Sequence, residues 1–269
     1  MIIPEFETKD ELFLFLKDNK DKIIAAKKAE LKRADAVLYM PTIEQTNKAA
    51  LANSDPFAPI LVKAIINTTN LLDSHGDVHI SGLWTKSLNE NKNIMHLQEH
   101  KMAFDSIISD GEDLKAYAQD VTWKSLGFDF DGATQALTFE SVVKHDSVTA
   151  MYKAYKNGRV KNHSVGMVYV KMSLSVDSKD KDLKEEFANW NKYFPLVANK
   201  EDATNRGWFW AVTEAKVIEG SAVPRGSNFA TPTQSVTQLE PLKDTPLNIE
   251  PQKHSESMDY KNLITHFKL

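Results

Sequence analysis

The chain has 269 residues, 42% hydrophobic and 26% charged, which suits one large or two small globular domains and excludes a wholly disordered protein. Lys and Arg number 33 against 37 Asp and Glu, a net charge of -4, so no overall basic field recruits nucleic acid. Cysteine is absent, which excludes disulfides, thiolate metal sites and a cysteine nucleophile. There is no apolar run of the roughly 18 residues that a membrane helix needs, so no membrane partner is expected. The opening MIIPEFETKDE lacks the basic and apolar regions of a signal peptide, and no leader is expected.

Residues 1–40 are expected to form an N-terminal amphipathic helical segment, with helix over 5–38. Thr8 and Glu11 make a T-x-x-E capping box, and Leu12, Phe15 and Leu16 share one face, with Ile23 and Ile24 further along. Such a helix either docks on its own domain or binds a partner. Residues 41–59, with Pro41, Pro56 and Pro59 among small and polar residues, read as a linker.

From Ile60 the texture changes. ILVKAIINTTNLL is β-branched and predicts one or two strands, closed by the turn cluster Asp73–Asp77. Residues 114–123 and 137–143 are further strands around a turn at Asp129–Gly132, which lacks the additional oxygen ligands of a calcium loop. Val148, Met151, Tyr152 and Tyr155 fall at i, i+3, i+4 and i+7 with Gly158 at the C-terminal cap, predicting a helix over 148–157 whose aromatic stripe faces the core. Residues 163–170 predict a strand, and 178–207 a helical insertion carrying Phe187, Trp190, Tyr193 and Phe194. Another strand runs from Trp208 to about Val223. Pro232, Pro241, Pro246 and Pro251 mark 232–269 as a mobile C-terminal tail, although Tyr260–Leu269 regains apolar character. The expected fold is α+β: an antiparallel β-barrel or sheet core over 60–231 with surrounding helices.

The chain has no Gly-rich phosphate loop, G-x-S-x-G elbow or Cys/His metal set, so the chemistry falls to histidines, serines and carboxylates. His75 and His79 flank a Gly-Asp turn and read as polar turn residues. His96-Leu-Gln-Glu99-His100 spells H-x-x-E-H; on a helix both histidines would face one way and hold zinc with Glu99 as base. Ser164 lies in a stretch otherwise suited to burial. It is either a hydroxyl bonded to backbone or a nucleophile that needs a base and a group orienting that base.

Four segments taken in order resemble the tailed-phage prohead (capsid maturation) serine protease family, whose fold is similar to herpesvirus assemblin. They are Leu72-Asp-Ser-His-Gly-Asp-Val-His-Ile-Ser-Gly-Leu-Trp84 with Ser87-Leu88, His96-Leu-Gln-Glu-His-Lys101 leading to Ile107-Ile108, Tyr155-Lys-Asn-Gly-Arg-Val-Lys-Asn-His-Ser-Val-Gly166, and Glu214-Ala-Lys-Val-Ile-Glu-Gly-Ser-Ala-Val-Pro-Arg-Gly-Ser-Asn228. The resemblance spans roughly residues 60 to 231. It implies an assemblin-like serine endopeptidase with Ser164 as nucleophile, His100 as base and Glu219 as the acidic third member, Glu214 being the fallback. Backbone amides near Val165 and Gly166, with Arg225 behind them, would meet the oxyanion. No metal or other cofactor is implied. The implied substrates are phage scaffold protein, major capsid protein and the chain's own termini, cleaved inside the immature procapsid in the host cytoplasm. Two alternatives stand beside it: a zinc peptidase using His96, Glu99 and His100, and a non-catalytic capsid scaffold or assembly protein.

Overall fold

The computed structural model describes residues 4–30 and 56–239. The described part of the N-terminal segment, residues 4–30, holds two short helices, α1 (Lys9–Asp18) and α2 (Lys20–Ala29), where the sequence suggests one long helix; residues 31–40 lie outside the described residues. Thr8 caps α1 as the T-x-x-E pattern requires, its Oγ accepting from the Glu11 amide. The break falls at Asn19, whose backbone leaves the helical region and whose side chain donates to the Phe15 carbonyl. The buried face is Phe13, Leu16 and Ile23 rather than Leu12 and Phe15. These three pack on Leu174, Val176, Leu183, Trp208 and Trp210, so the segment docks on its own domain. Each such side chain contributes about 1.5–3 kcal/mol of burial.

After Pro56 the chain enters β1 (Ile60–Thr68), β2 (Asp77–His79), α3 (Thr85–Glu90), β3 (Met95–Gln98) and β4 (Ile107–Ser109). Then follow β5 (Leu114–Thr122), β6 (Ala133–Val143), α4 (Thr149–Lys156), β7 (Asn162–Val176), α5 (Lys184–Tyr193), α6 (Lys200–Arg206), β8 (Trp208–Val223) and β9 (Thr233–Gln238). The described part of the expected linker, residues 56–59, is a turn leading into β1, and the rest of it lies outside the described residues.

The strands form two sheets among the described residues, not a closed barrel. One is antiparallel with order β5-β6-β1-β9; in the other, β8 pairs antiparallel with β7 along one edge and parallel with β2 and then β3 along the other, β3 carrying β4 outside it. The main core lies between the sheets. Ile60, Val62, Ile66 and Phe139 from the first meet Val165, Met167 and Val217 from the second, and the Met151, Tyr152 and Tyr155 stripe of α4 closes one side as its spacing predicts. The insertion folds as α5 and α6, and its Trp190 and Tyr193 pack on Phe209 and Val197.

One boundary moves. Residues 233–238, expected in the tail, form β9 and pair with β1 from Ile60↔Gln238 to Ala64↔Thr233. The β-branched Thr233, Val236 and Thr237 favour a strand, and Pro232 stands at its entrance, where a missing N–H is tolerated. The remaining expected tail, 240–269, lies outside the described residues.

Candidate active site

The H-x-x-E-H segment does not form a helix. Met95–Gln98 is a strand, and Glu99 and His100 follow it with φ of 52° and 57°, two consecutive left-handed residues that turn the chain sharply. The turn separates the two histidines. His96 points into the core and is fully buried; the Ser141 hydroxyl donates to its Nδ1 at 2.8 Å, and its Nε2–H donates to Tyr155 Oη at 3.0 Å. Tyr155 in turn donates to His163 Nε2 at 2.9 Å, and His163 Nδ1–H donates to the Thr231 carbonyl at 3.1 Å. Every ring nitrogen in that chain is occupied, and burial pushes both histidines to the neutral form: His163 is lowered to about 4 and His96 lies well below its ordinary value. Glu99 faces outward to Lys101. The zinc reading of His96, Glu99 and His100 therefore loses its geometric basis, and among the described residues no group of His, Cys, Asp and Glu could hold a metal ion.

His100 meets a different partner. Parallel pairing of β3 with β8 sets Met95 against Glu219 and Gln98 against Ala222, and the left-handed turn then folds His100 back over β8. Its Nδ1–H donates to Glu219 Oε1 at 2.6 Å. His100 is 8% exposed and Glu219 1%. With Nδ1 carrying the proton, Nε2 presents its lone pair, and this atom is buried without a hydrogen-bond partner among the described residues. Glu214, the fallback acid, is instead paired with Lys171 on the surface of the β7–β8 ribbon.

The third residue arrives through β7. Antiparallel pairing sets Ser164 opposite Ser221 and Gly166 opposite Glu219. Side chains two apart on a strand share a face, and directly paired residues share it too. Ser164, Gly166, Glu219 and Ser221 thus belong to the face of the ribbon that meets His100. Their neighbours Val165 and Gly220 belong to the opposite face, where a Cβ on Gly220 would sit 2.5 Å from the Phe139 ring. Gly166 must be glycine for a steric reason: a Cβ there would collide with Glu219 Oε1. The backbone bond considered for Ser164 is not made; among the described residues its hydroxyl has no hydrogen-bond partner. A narrow crevice runs beside it, lined by Asn67, His75, Ser164, Val165, Ser227 and Asn228.

The expected oxyanion residues lie on β7 and in the loop after β8. The β7–β8 register shifts between Gly166 and Met167, interrupting the ladder next to the Val165 and Gly166 amides. Arg225 is exposed and lies in the loop after β8. That loop is pinned to β7: Asn162 Nδ2 donates to the Pro224 carbonyl at 3.0 Å, and a Cβ on Gly226 would lie 2.6 Å from the His163 carbonyl. Arg225 thus lies in a loop tied to β7, and its guanidinium has no ion-pair partner among the described residues.

Sequence reasoning misses a second polar cluster. His79 is not a surface turn residue but is 2% exposed. Its Nε2–H donates to Tyr169 Oη at 3.0 Å and its Nδ1 accepts from Asn67 Nδ2 at 3.2 Å. Tyr169 donates to Asp77 Oδ2 at 2.8 Å, and Lys27 of α2 pairs with the other oxygen of Asp77. Burial, reinforced by neighbouring Asp77, pushes Asp73 up to about 6; burial acts the same way on Asp77, but Lys27 outweighs it and holds Asp77 below its usual range. The signal for this cluster was the D-x-x-x-D-x-H spacing of residues 73, 77 and 79. Nothing in the sequence pointed to Lys27 as its counterion.

Ser164, His100 and Glu219 thus come from three strands or strand ends onto one face; His100 Nδ1 is bonded to Glu219, while its Nε2 is buried and makes no hydrogen bond to Ser164 or to any other described residue. Neither family models, curated proteins nor solved structures include any match to this chain.

Proposed function

We propose that this protein is a serine endopeptidase in which Ser164 attacks a peptide carbonyl, His100 Nε2 takes the hydroxyl proton and later returns it to the leaving amine, and Glu219 holds the imidazole in the required tautomer. The observation that carries this reading is the buried 2.6 Å contact of His100 Nδ1 with Glu219, which leaves Nε2 unpaired on the face shared with an unbonded serine hydroxyl. A histidine serving only the core would have both nitrogens satisfied, as His96 and His163 do. Interrupted β7 pairing at Gly166 and the exposed Arg225 are suited to receive the negative charge of the tetrahedral intermediate.

The order of the motifs carries the reading further, to the assemblin-like proteases of tailed-phage proheads. On that reading the substrates are scaffold and major capsid protein within the immature procapsid, and the chain trims its own termini. The self-cleavage expectation rests on two stretches of sequence, the expected linker 41–59 with Pro41, Pro56 and Pro59 and the expected tail with Pro241, Pro246 and Pro251.

Cleavage of assembled scaffold and capsid protein by the wild type, by Ser164→Ala and by wild type with chelator tests the proposal. It predicts loss with Ser164→Ala alone. Loss with chelator would return the metal reading, and intact substrate throughout would leave a non-catalytic assembly protein.

A further inference from the structure

Ser221 has no part in the scheme above, yet it touches two of its members. It follows Glu219 by two positions on β8, shares its face, and is fully buried. Its hydroxyl donates to Glu219 Oε2 at 2.6 Å and accepts the His100 backbone N–H at 3.0 Å. The bonds close a ring: His100 N to Ser221 Oγ, Ser221 Oγ to Glu219 Oε2, and Glu219 Oε1 back to His100 Nδ1. The histidine is thereby fixed at its backbone and its ring at once. That matters because His100 sits in the left-handed region with φ 57°, which a residue with a side chain leaves unless neighbours hold it there. Both carboxylate oxygens are also engaged, so Glu219 cannot rotate away from the imidazole.

We infer that Ser221 is a positioning residue that locks His100 and Glu219 into the geometry in which Nε2 faces Ser164. This rests on the peptidase reading. The hydroxyl acts in two ways: it aims the base, and by donating to the carboxylate it draws negative charge away from the oxygen facing the ring. Without it more negative charge rests on the oxygen that faces the ring, which shifts the pH–rate curve upward.

The test is the second-order rate at which a fluorophosphonate reacts with Ser164, measured against pH in wild type, Ser164→Ala, Ser221→Ala and Ser221→Thr. A second arm records the downfield proton resonance of the His100 Nδ1–H to Glu219 bond by NMR. Ser221→Ala should slow labelling by about 10- to 100-fold at its plateau, the range seen when a partner orienting a metal-bound histidine is lost. It should also move the midpoint of the pH–rate curve upward and shift or broaden the downfield resonance. Ser221→Thr, which restores the hydroxyl, should bring all three back toward wild type. Wild-type rate, midpoint and resonance in Ser221→Ala would overturn the inference. So would a slower rate with an unmoved midpoint that Thr does not rescue, because that is the signature of a packing residue. If wild type is not labelled at Ser164, the peptidase reading fails; the NMR arm still decides the clamp, since it needs no activity.

Discussion

His100 and Glu219 lie 119 positions apart in sequence, yet their side chains meet at 2.6 Å in a site where neither is more than 8% exposed. The contact exists because β3 runs parallel to β8 and the chain then turns through two left-handed residues. If Glu219 orients the base, Glu219→Gln should keep the fold but favour the wrong imidazole tautomer, lowering kcat by about 10⁴-fold, the effect of the equivalent change in a Ser-His-Asp triad. Glu214→Gln should leave kcat within about twofold. Both are read from cleavage kinetics beside circular dichroism.

The two glycines of the ribbon separate packing from chemistry. Gly166→Ala pushes a methyl group into Glu219, and Gly220→Ala pushes one into Phe139 on the opposite face. Each should destabilise by about 1–3 kcal/mol, as overpacking does. Only Gly166→Ala should abolish reaction at Ser164 while the protein is still folded. Urea titrations paired with labelling distinguish the two.

Acid should destabilise the protein. The folded pKa of His163 is lowered to about 4 and those of His96 and His79 are also lowered, in each case by burial first. Below the ordinary histidine value near 6.5 the unfolded chain binds protons that the folded one refuses, so stability falls as pH drops through that value, by about 1.4 kcal/mol per pH unit for each group. Asp73, raised to about 6, works oppositely: the folded state holds its proton, so below that pH it offsets one histidine. The urea midpoint should decline from pH 7 to pH 5, the slope steepening as pH falls below 6.5. A flat or rising midpoint would contradict the neutral His96–Tyr155–His163 chain.

The N-terminal helices should be integral to the domain. Lys27 reaches Asp77, whose carboxylate is fully buried beside Asp73. Lys27→Met leaves that charge uncompensated and should cost about 3–5 kcal/mol, the range for breaking a buried pair. Lys144→Met removes only an exposed partner of Asp113 and should cost at most about 1 kcal/mol. Denaturant melts of the two variants provide the comparison.

Much of this was readable in advance where the signal is local. The cap at Thr8, the α4 stripe, the β-branched run at Ile60 and the long strand from Trp208 all appear where periodicity and propensity put them. Fold class was readable as α+β. Sheet closure was not, because pairing depends on contacts far apart in sequence; β9 was missed for the same reason, since its partner β1 lies about 170 residues upstream. At the site, the family resemblance points to Ser164, His100 and Glu219, with Glu214 as the fallback acid. The H-x-x-E-H spelling misleads because five residues do not reveal that a strand ends at Gln98 and that Glu99 and His100 turn left-handed. Ser221 stands inside the fourth quoted segment without an assigned role, and Lys27 belongs to no motif; the roles of both arise from the partners that folding supplies.

A fluorophosphonate that reacts with an activated serine leaves an adduct that peptide mapping by mass spectrometry locates to a single residue. If His100 activates Ser164 as a nucleophile, one adduct should form, on Ser164, absent from Ser164→Ala and strongly reduced in His100→Ala. An adduct on another residue, or none on folded wild type in the free or procapsid-assembled state, would contradict it.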